Sequence, residues 1–312
     1  MVEQVFRTGL KQAFTLFTFP NLPTNTTEIK KTASEIIVYC RTNRPKMKRR
    51  SFVKTTLISG AAASIIPSVT KATDATELAG RGTDFYELRT YTLKNETQQK
   101  LVEDYLEHAA IPAMNRNGVT KVGVFTELKP EGQTKIYVLT VFTSLDQMEL
   151  VAEKTEKDEA FKTKAAAYLN APASAPAYER IESSLMKAFK HSPNLAVPEK
   201  APRIFELRQY QSASEAAGKK KIEMFNDQGE IDIFKRLGFK PVFWGETIIG
   251  PLRPNLTYMV TFDDLDAKNA HWKAFGGDPQ WKKISTVPEY ADALLVNKIT
   301  STLLVPTAYS QI

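Results

Sequence analysis

The sequence predicts an α+β fold in which two tandem ferredoxin-like βαββαβ modules form an intramolecular dimeric α/β barrel. The first observation is a repeated strand motif, since the run YELRTY at 86–91 returns as FELRQY at 205–210, 119 residues later. The second is the run YVLT at 137–140, which returns as YMVT at 258–261 with an offset of 121. Markers that recur in one order at nearly constant spacing indicate a duplicated unit of about 100 to 120 residues.

Module 1, residues 83–190, alternates between strand and helix periodicity in the order of a split βαβ unit. Apolar residues alternate along the first strand and then follow helical spacing, until Pro112 bends or ends the helix and Gly118 closes the connection. The Lys-Pro-Glu-Gly turn at 129–132 separates the second and third strands. The expected strands are 85–93, 119–127, 135–142 and 178–189, with a second helical region at 146–169 that is broken near Lys157.

A proline-rich linker at 191–202 leads to module 2, residues 203–308, which repeats the same order. Its first helix is expected at 214–237 with Ser214 as the N-cap. An Asp-Pro-Gln-Trp run at 278–281 indicates a short extra helix. The other expected elements are strands at 203–211, 239–249, 256–262 and 297–305 and a helix at 265–275.

One ferredoxin-like module covers one face of its sheet with two helices and leaves the other face bare. Burying that bare face is favourable by about 25 cal/mol per Å² of apolar area, so each module needs a partner sheet. The tandem copy supplies that partner, and we expect a barrel with the helices on its outside. Such a chain can remain a monomer or use its outer surface to form a homodimer.

The positive charge of the chain is concentrated near its N-terminus. The chain carries 42 Lys and Arg against 35 Asp and Glu, and residues 1–72 hold 12 of the basic but only 3 of the acidic residues. Residues 73–312 therefore hold 30 basic and 32 acidic residues, a net charge of −2. Without a distributed positive field, nucleic-acid binding is not expected. The lysine run at 219–221 is expected to be a solvated helix face.

Residues 47–72 resemble a twin-arginine signal peptide, with Arg49, Arg50 and Phe52 as its motif. The weakly apolar stretch at 55–66 is shorter than the roughly 20 residues that span a bilayer. We therefore expect export to the periplasm or cell envelope, with the twin-arginine translocase as a partner during export.

Residues 1–46 precede this segment and are polar and unpatterned. They are interpreted as an over-extended N-terminus, with translation starting at Met47, or as a genuine disordered leader. They contain Cys40, the single cysteine of the chain. The exported protein is therefore expected to need no disulfide.

The polar residues of the repeated strand form the first candidate site. Strand alternation places them on one face, which we expect to line the barrel interior, because the intervening Tyr86 and Leu88 suit the helix-covered side. They are interpreted either as a buried ion-pair network that sets the register of the modules, or as a pocket in which arginine holds an anion and glutamate acts as base. The members are Glu87, Arg89 and Tyr91 in module 1 and Glu206, Arg208 and Tyr210 in module 2.

His108 is the candidate catalytic residue. It lies three residues after Tyr105 and seven after Leu101, so we expect it on their helix face, toward the sheet. There it is either a general base in a pocket between helix and strands or a packing residue.

Aromatic residues of module 2 form a third candidate set. They are expected either to build the core or to form the wall of a ligand site, stacking on apolar rings. The set comprises Trp244, His271, Trp272, Trp281 and Tyr290. Histidines at 108, 191 and 271 show no metal-ligand spacing, and no glycine-rich phosphate loop or nucleophile elbow occurs in the sequence. No metal or other cofactor is expected.

The two copies together resemble the NIPSNAP family over about residues 83–308. The resemblance is carried by the strand motifs at 86–91 and 205–210 and by four shorter markers. These markers are Ile111-Pro112, Gly118-Val119, Gly245 and the run at 278–281. The resemblance implies a dimeric α/β-barrel fold. It supplies no agreed catalytic residues, because fold alone does not fix function.

Two hypotheses of function follow from these observations. In the first, the protein is an exported NIPSNAP-type protein that binds a small ligand or a partner in the cell envelope. In the second, it is a metal-free barrel enzyme, such as an isomerase, a lyase or a cofactor-free oxygenase. The enzyme hypothesis assigns His108 as the base and Arg89 or Arg208 as the group that holds an anionic substrate.

Overall fold

The computed structural model describes residues 82–312. The predicted leader at 1–46 and the signal peptide at 47–72, with Arg49, Arg50 and Phe52, lie outside the described residues. Within the described part, no helix is both long and apolar enough to cross a membrane.

Eight antiparallel strands form one closed barrel, which confirms the predicted fold class. Around the barrel the strands follow the order β1-β3-β2-β8-β5-β7-β6-β4, and β4 pairs with β1 to close it. The strands of module 1 are β1 Phe85–Leu93, β2 Val122–Glu127, β3 Thr134–Phe142 and β4 Arg180–Ala188. Those of module 2 are β5 Ile204–Gln211, β6 Lys240–Ile249, β7 Asn255–Phe262 and β8 Lys298–Pro306.

Each module keeps the strand order of a ferredoxin-like unit, and the edge strands of the two units pair with each other. In module 1 the order is β4-β1-β3-β2, and the last of these strands pairs with β8 of module 2. At the other seam β4 pairs with β6, where Ala188 lies opposite Gly245. A Cβ atom added to Gly245 would lie 3.0 Å from the Cβ of Met186. The glycine therefore allows the two strands to carry their inward side chains past each other.

The barrel interior is an apolar core shared by both modules. It contains Tyr86 and Leu88 of β1, together with Phe205 and Leu207 of β5. Rings from different modules meet there, with centroids 4.9 Å apart for Tyr86 and Phe243. The prediction that the Glu, Arg and Tyr positions of the strand motif face the interior is therefore wrong. These charged positions face the helices, because a barrel filled by apolar side chains avoids burying charge on its axis.

Helices cover the outer face of each half of the barrel. Those of module 1 are α1 Glu96–Tyr105, α2 Ile111–Arg116, α3 Leu145–Glu156 and α4 Glu159–Leu169, with a π-helical segment at Leu106–Ala110 between the first two. Those of module 2 are α5 Glu215–Asp227, α6 Glu230–Arg236, α7 Leu265–Gly277, α8 Pro279–Ser285 and α9 Asp292–Leu295, with a 3₁₀ turn at Pro288–Tyr290.

Two helix boundaries differ from those predicted, and one break is confirmed. The single helix expected at 214–237 is divided at Gly229, whose φ of 85° interrupts the helical backbone. The first helix of module 1 continues through Pro112, because the π-helical turn before it brings the chain into a new helix with proline near its start. The break near Lys157 is confirmed, since α3 ends there.

The structure also corrects the alignment of the two copies by one residue. In β1–β3 pairing Arg89 lies opposite Val138, and in β5–β7 pairing Arg208 lies opposite Tyr258. The structural counterpart of Tyr258 is therefore Val138, and the predicted pairing of 137–140 with 258–261 is shifted by one position. Because strand side chains alternate, a shift of one residue exchanges the two faces of the sheet.

Candidate ligand site in the first module

A cavity of about 380 Å³ lies between the outer face of the module 1 sheet and its helices. Its floor is formed by Glu87, Arg89 and Tyr91 of β1, with Val138 and Thr140 of β3 beside them. The structure thus places the polar face of the strand motif in a cavity, as one of the two interpretations of that motif requires. The cavity is on the helix side of the sheet and not in the barrel.

The walls of the cavity are largely apolar. They come from α1, the π-helical segment, α2, α3 and α4. The side chains that form them include Tyr105, Leu106, Met114, Met148, Ala152, Thr155 and Phe161. A floor with one ion pair and walls that are apolar apart from Thr155 and Glu156 is the usual composition of a small-molecule site, in which few polar groups fix orientation.

The ion pair in the floor is held by three donors on one oxygen. Arg89 donates to Oε1 of Glu87 from Nη2 at 2.8 Å and from Nε at 3.2 Å. Ser183 Oγ donates to the same oxygen at 3.0 Å. The other oxygen, Oε2, has no hydrogen-bond partner within residues 82–312. A cavity-lining carboxylate therefore keeps one acceptor oxygen for another molecule.

Arg89 remains cationic in this setting. Burial works against its charge, but the Glu87 carboxylate and the Tyr91 hydroxyl outweigh that effect and hold the pKa of Arg89 above its usual value. The Arg89 side chain is 36% exposed, so the floor is reachable from solvent. Nearby, burial raises the pKa of Tyr105 to about 12, and its phenol stays neutral at physiological pH.

Module 2 has the same ion pair, but there both carboxylate oxygens are occupied. Arg208 Nη1 donates to Oε1 of Glu206 at 2.9 Å. Ser301 Oγ donates to the same oxygen at 2.6 Å, as Ser183 does in module 1. The indole Nε1 of Trp272 donates to Oε2 at 2.6 Å. The Trp272 ring lies over the Arg208 guanidinium, 4.5 Å from Cζ to centroid.

Three substitutions between the copies explain why one site is open and the other filled. Ala152 lies eight residues after the N-cap Ser144 of α3, and Trp272 lies eight residues after the N-cap Asp264 of α7. At the same offset of 120, Thr155 corresponds to Phe275, and Val138 to Tyr258. In module 2 all three large rings pack on Phe234, with centroids 4.7 to 5.8 Å away. Their small counterparts leave the cavity of module 1.

Comparison with protein families identifies the fold observed here. The family model described as NIPSNAP matches residues 86–193 and again residues 205–311, which together cover more than half of the chain. The chain belongs to the NIPSNAP family. No curated protein matches it in sequence.

Several solved structures are similar to this chain at low sequence identity. A provisionally named monooxygenase from Fusobacterium nucleatum is 12% identical, with a TM-score of 0.50, over 72% of this chain and 93% of its own. A NIPSNAP family protein from Agrobacterium tumefaciens is 19% identical, with a TM-score of 0.32, over 38% of this chain and 97% of its own. A NIPSNAP-like protein from Burkholderia xenovorans is also 19% identical, with a TM-score of 0.32, over 36% and 90% of the respective chains.

The structure places His108 outside the cavity of this NIPSNAP chain. As predicted, it shares a face with Leu101 and Tyr105, and the three line a surface groove of about 460 Å³ together with Tyr168 of α4. That face is directed toward α4 and solvent, and not toward the sheet as expected, so the His108 side chain is 58% exposed. The catalytic role assigned to it stays a prediction.

The aromatic set of module 2 lies in the helix–sheet layer of that module. Trp244 and Tyr290 belong to its buried core, and Trp272 and Trp281 pack against it. His271 has its Nδ1 2.7 Å from the Ala267 carbonyl oxygen. These residues are thus in the module whose site is filled, and their ring contacts are with other aromatic residues of that module, such as Phe234, Phe239 and Phe275.

Lys221 contradicts the expectation of a solvated lysine run. Its side chain is 1% exposed, and its Nζ donates to Oδ1 of Asp292 at 3.1 Å. The ammonium group lies 5.6 to 5.7 Å from the ring centroids of Tyr210, Phe225 and Trp281. The helical spacing of apolar residues could not show that Lys221 is buried while Lys219 is exposed. The 3₁₀ turn and α9, which cover Lys221, come from about 70 residues further along the chain.

Sequence reasoning missed the residues that matter most for the cavity. Val138, Ala152 and Thr155 carry no reactive group, and small or apolar residues in a helix or strand usually indicate packing. The signal that identifies them is the comparison of the two copies at an offset of 120. Among residues 82–312 no group of three or more His, Cys, Asp or Glu is placed to hold a metal ion.

Proposed function

We propose that module 1 of this NIPSNAP protein is a binding module for a small, largely apolar molecule, which it takes up in the cavity over Glu87 and Arg89. The observation that carries the proposal is the contrast between the copies, in which Ala152 stands where Trp272 fills the other module. A volume of about 380 Å³ falls within the roughly 300–1,000 Å³ of small-molecule pockets.

The test is to fill the cavity from within. Ala152→Trp should place an indole where module 2 has one and abolish binding of an apolar fluorescent probe, 1-anilinonaphthalene-8-sulfonate, in a titration of the full chain. Ala167→Trp is the matched control, because Ala167 lies in the groove of His108 and not in the cavity. We expect the control to bind within about twofold of the parent. Retained binding in the first variant, or loss only in the second, would contradict the proposal.

A metal-free enzyme is the second candidate function, and the free Oε2 of Glu87 favours it. In that case Glu87, and not the exposed His108, is the group placed to accept a proton from a molecule in the cavity. For any ligand that the chain turns over, Glu87→Gln should abolish turnover with binding retained, and His108→Ala should leave turnover unchanged. The opposite pattern would restore His108 as the base.

Export is a separate proposal, supported by the twin-arginine-like run and the apolar stretch that follows it. Replacing Arg49 and Arg50 by lysine should retain the unprocessed chain in the cytoplasm. The parent should be recovered from the periplasm, cleaved near residue 72. Equal amounts of periplasmic protein from both forms would refute export by this route.

A further inference from the structure

We infer that the cavity of module 1 takes a planar aromatic ligand that carries an N–H or O–H donor, with the donor bound to Glu87 Oε2 and the ring over Arg89. The inference rests on the proposed binding function and names its ligand class. It follows from module 2, in which a side chain of the protein occupies the corresponding space.

The occupant of the filled module is the indole of Trp272. Its N–H reaches Oε2 of Glu206 at 2.6 Å, and its ring covers the Arg208 guanidinium at 4.5 Å. With this cover the Glu206 side chain is only 1% exposed. The indole thus satisfies two requirements of the ion pair at once: a donor for the second oxygen and a flat surface for the cation.

The receiving groups are the same in the open module. Glu87, Arg89 and Ser183 repeat the arrangement of Glu206, Arg208 and Ser301, including the shared Oε1. Without a counterpart of the indole, the Glu87 and Arg89 side chains are 12% and 36% exposed. Module 1 thus retains the acceptor Glu87 and the cation Arg89 but has no indole over them. A bound molecule can take the place of that indole.

The size of the opening indicates a ligand larger than a single indole. Module 1 has Ala152 where module 2 has Trp272, and this difference alone leaves room for one bicyclic group. Val138 and Thr155 in place of Tyr258 and Phe275 add further space beside it, with Thr155 Oγ1, unpaired within residues 82–312, as a polar group on the wall. A fused aromatic system of two or three rings suits this largely apolar space between sheet and helices.

The floor selects a neutral donor over an anion. Arg89 already donates Nη2 and Nε to Glu87, so its charge is neutralised by the adjacent carboxylate. A second carboxylate brought to Oε2 would meet an acceptor of like charge and no free donor at that oxygen. The sequence-based expectation of an anionic ligand on Arg89 is therefore replaced by that of a phenol-type or indole-type donor.

Three matched naphthalenes test the inference on the full chain by isothermal titration calorimetry. 2-Naphthol carries the donor, 2-methoxynaphthalene lacks it, and 2-naphthoate replaces it by a carboxylate. A hydrogen bond to a carboxylate should make 2-naphthol bind about tenfold tighter than either analogue. In Glu87→Gln the preference should shift toward 2-naphthoate, because Arg89 is then unpaired. Glu206→Gln is the control and should leave the preference unchanged.

The outcomes separate this inference from the proposed function. If all three compounds bind equally and Ala152→Trp blocks each of them, the site is kept but the requirement for a hydrogen-bond donor is refuted. Failure of all three, with the non-aromatic fluorescent probe cis-parinaric acid bound and blocked by the same variant, would overturn the aromatic class and keep the site. Module 2 offers a second test. Trp272→Gly should lower the melting temperature, and added indole should restore it by occupying the vacated space. A folded variant whose melting temperature indole does not raise would contradict the use of module 2 as a guide to the ligand of module 1.

Discussion

Lys221, Glu230 and Asp292 form a charge cluster in module 2 that contains one cation and two carboxylates. Asp292 is at 3.1 Å from the Lys221 Nζ, and Glu230 is at 4.0 Å. Burial opposes the charge of Lys221, but Glu230 and Asp292 outweigh it and raise its pKa. Asp292 is the closer carboxylate and neutralises the Lys221 ammonium, which leaves the charge of the buried Glu230 without a cation of its own. Burial therefore raises the pKa of Glu230 to about 7, against the attraction of Lys221.

This cluster predicts a decline of stability between about pH 4.5 and 7. In that window an unfolded glutamate is ionised while the folded Glu230 keeps its proton, so the folded state binds more protons and loses stability as pH rises. Glu230→Gln should remove the decline and be more stable than the parent at pH 7.5 by about 1 to 3 kcal/mol. Urea unfolding at pH 5 and 7.5 measures it.

Asp292→Asn is the informative control for this titration. With Asp292 neutral, Lys221 is left to pair with Glu230, which should then ionise at lower pH and shift the decline toward more acidic pH. A decline that is identical in the parent, Glu230→Gln and Asp292→Asn would show that another group titrates.

At the scale of elements, the second helical region of each module is fixed by one aspartate and one arginine. Asp158 caps α4 and pairs with Arg116 of α2. Its counterpart Asp278 caps α8 by accepting from the Gln280 and Trp281 amides, and pairs with Arg236 of α6 at 2.9 Å. The amide of Trp281 and the Arg236 charge lower the pKa of Asp278. Both pairs are 42 residues apart, at an offset of 120 between modules.

Replacing Asp278 should separate the cap from the ion pair. Asp278→Asn keeps a cap acceptor and loses the charge, whereas Asp278→Ala loses both. We expect the alanine variant to melt about 3 °C below the parent and the asparagine variant to lie between them. Circular dichroism at neutral pH measures the difference. An alanine variant that melts with the parent would show that Arg236 and the cap do not secure this helix.

The elements show what local sequence can and cannot predict. Ser214 was expected as an N-cap, and its side chain does accept from the Ala217 amide. Periodicity placed the strands, but it could not show that Gly229 divides a helix or that 137–140 aligns one residue earlier. The ends of elements depend on positive-φ residues and on partners distant in sequence, and both are invisible to a local pattern.

In the whole molecule, the duplication has different consequences for the barrel interior and for the helix-covered outer faces. The interior is shared by both modules, whereas the residues of one outer face can differ from those of the other. The interior core draws on both modules, so it has to stay apolar in each. Apart from single residues such as Phe189 and Leu128 of module 1, which pack into the outer core of module 2, each helix-covered face is built from its own module. There one copy has filled its site with aromatic rings while the other has kept it open.

Which face is interior could not be predicted from the motif itself. In YELRTY and FELRQY the first four residues alternate between apolar or aromatic and charged, and in each motif both alternating sets contain an aromatic residue. Which face becomes the interior depends on two free-energy costs: that of burying the charged side chains inside a closed barrel, and that of leaving them in the partly exposed layer between sheet and helices. The strand motif thus identified the right residues for the candidate site on the wrong side of the sheet.

A crystal structure of the full chain soaked with 2-naphthol would show directly whether module 1 binds an aromatic donor. We expect density for one molecule in the module 1 cavity, with its hydroxyl within hydrogen-bond distance of Glu87 Oε2 and its rings over Arg89. Module 2 should be unchanged, with Trp272 still on Glu206. A molecule bound in the His108 groove or in the barrel, with the cavity empty at saturating concentration, would contradict this expectation.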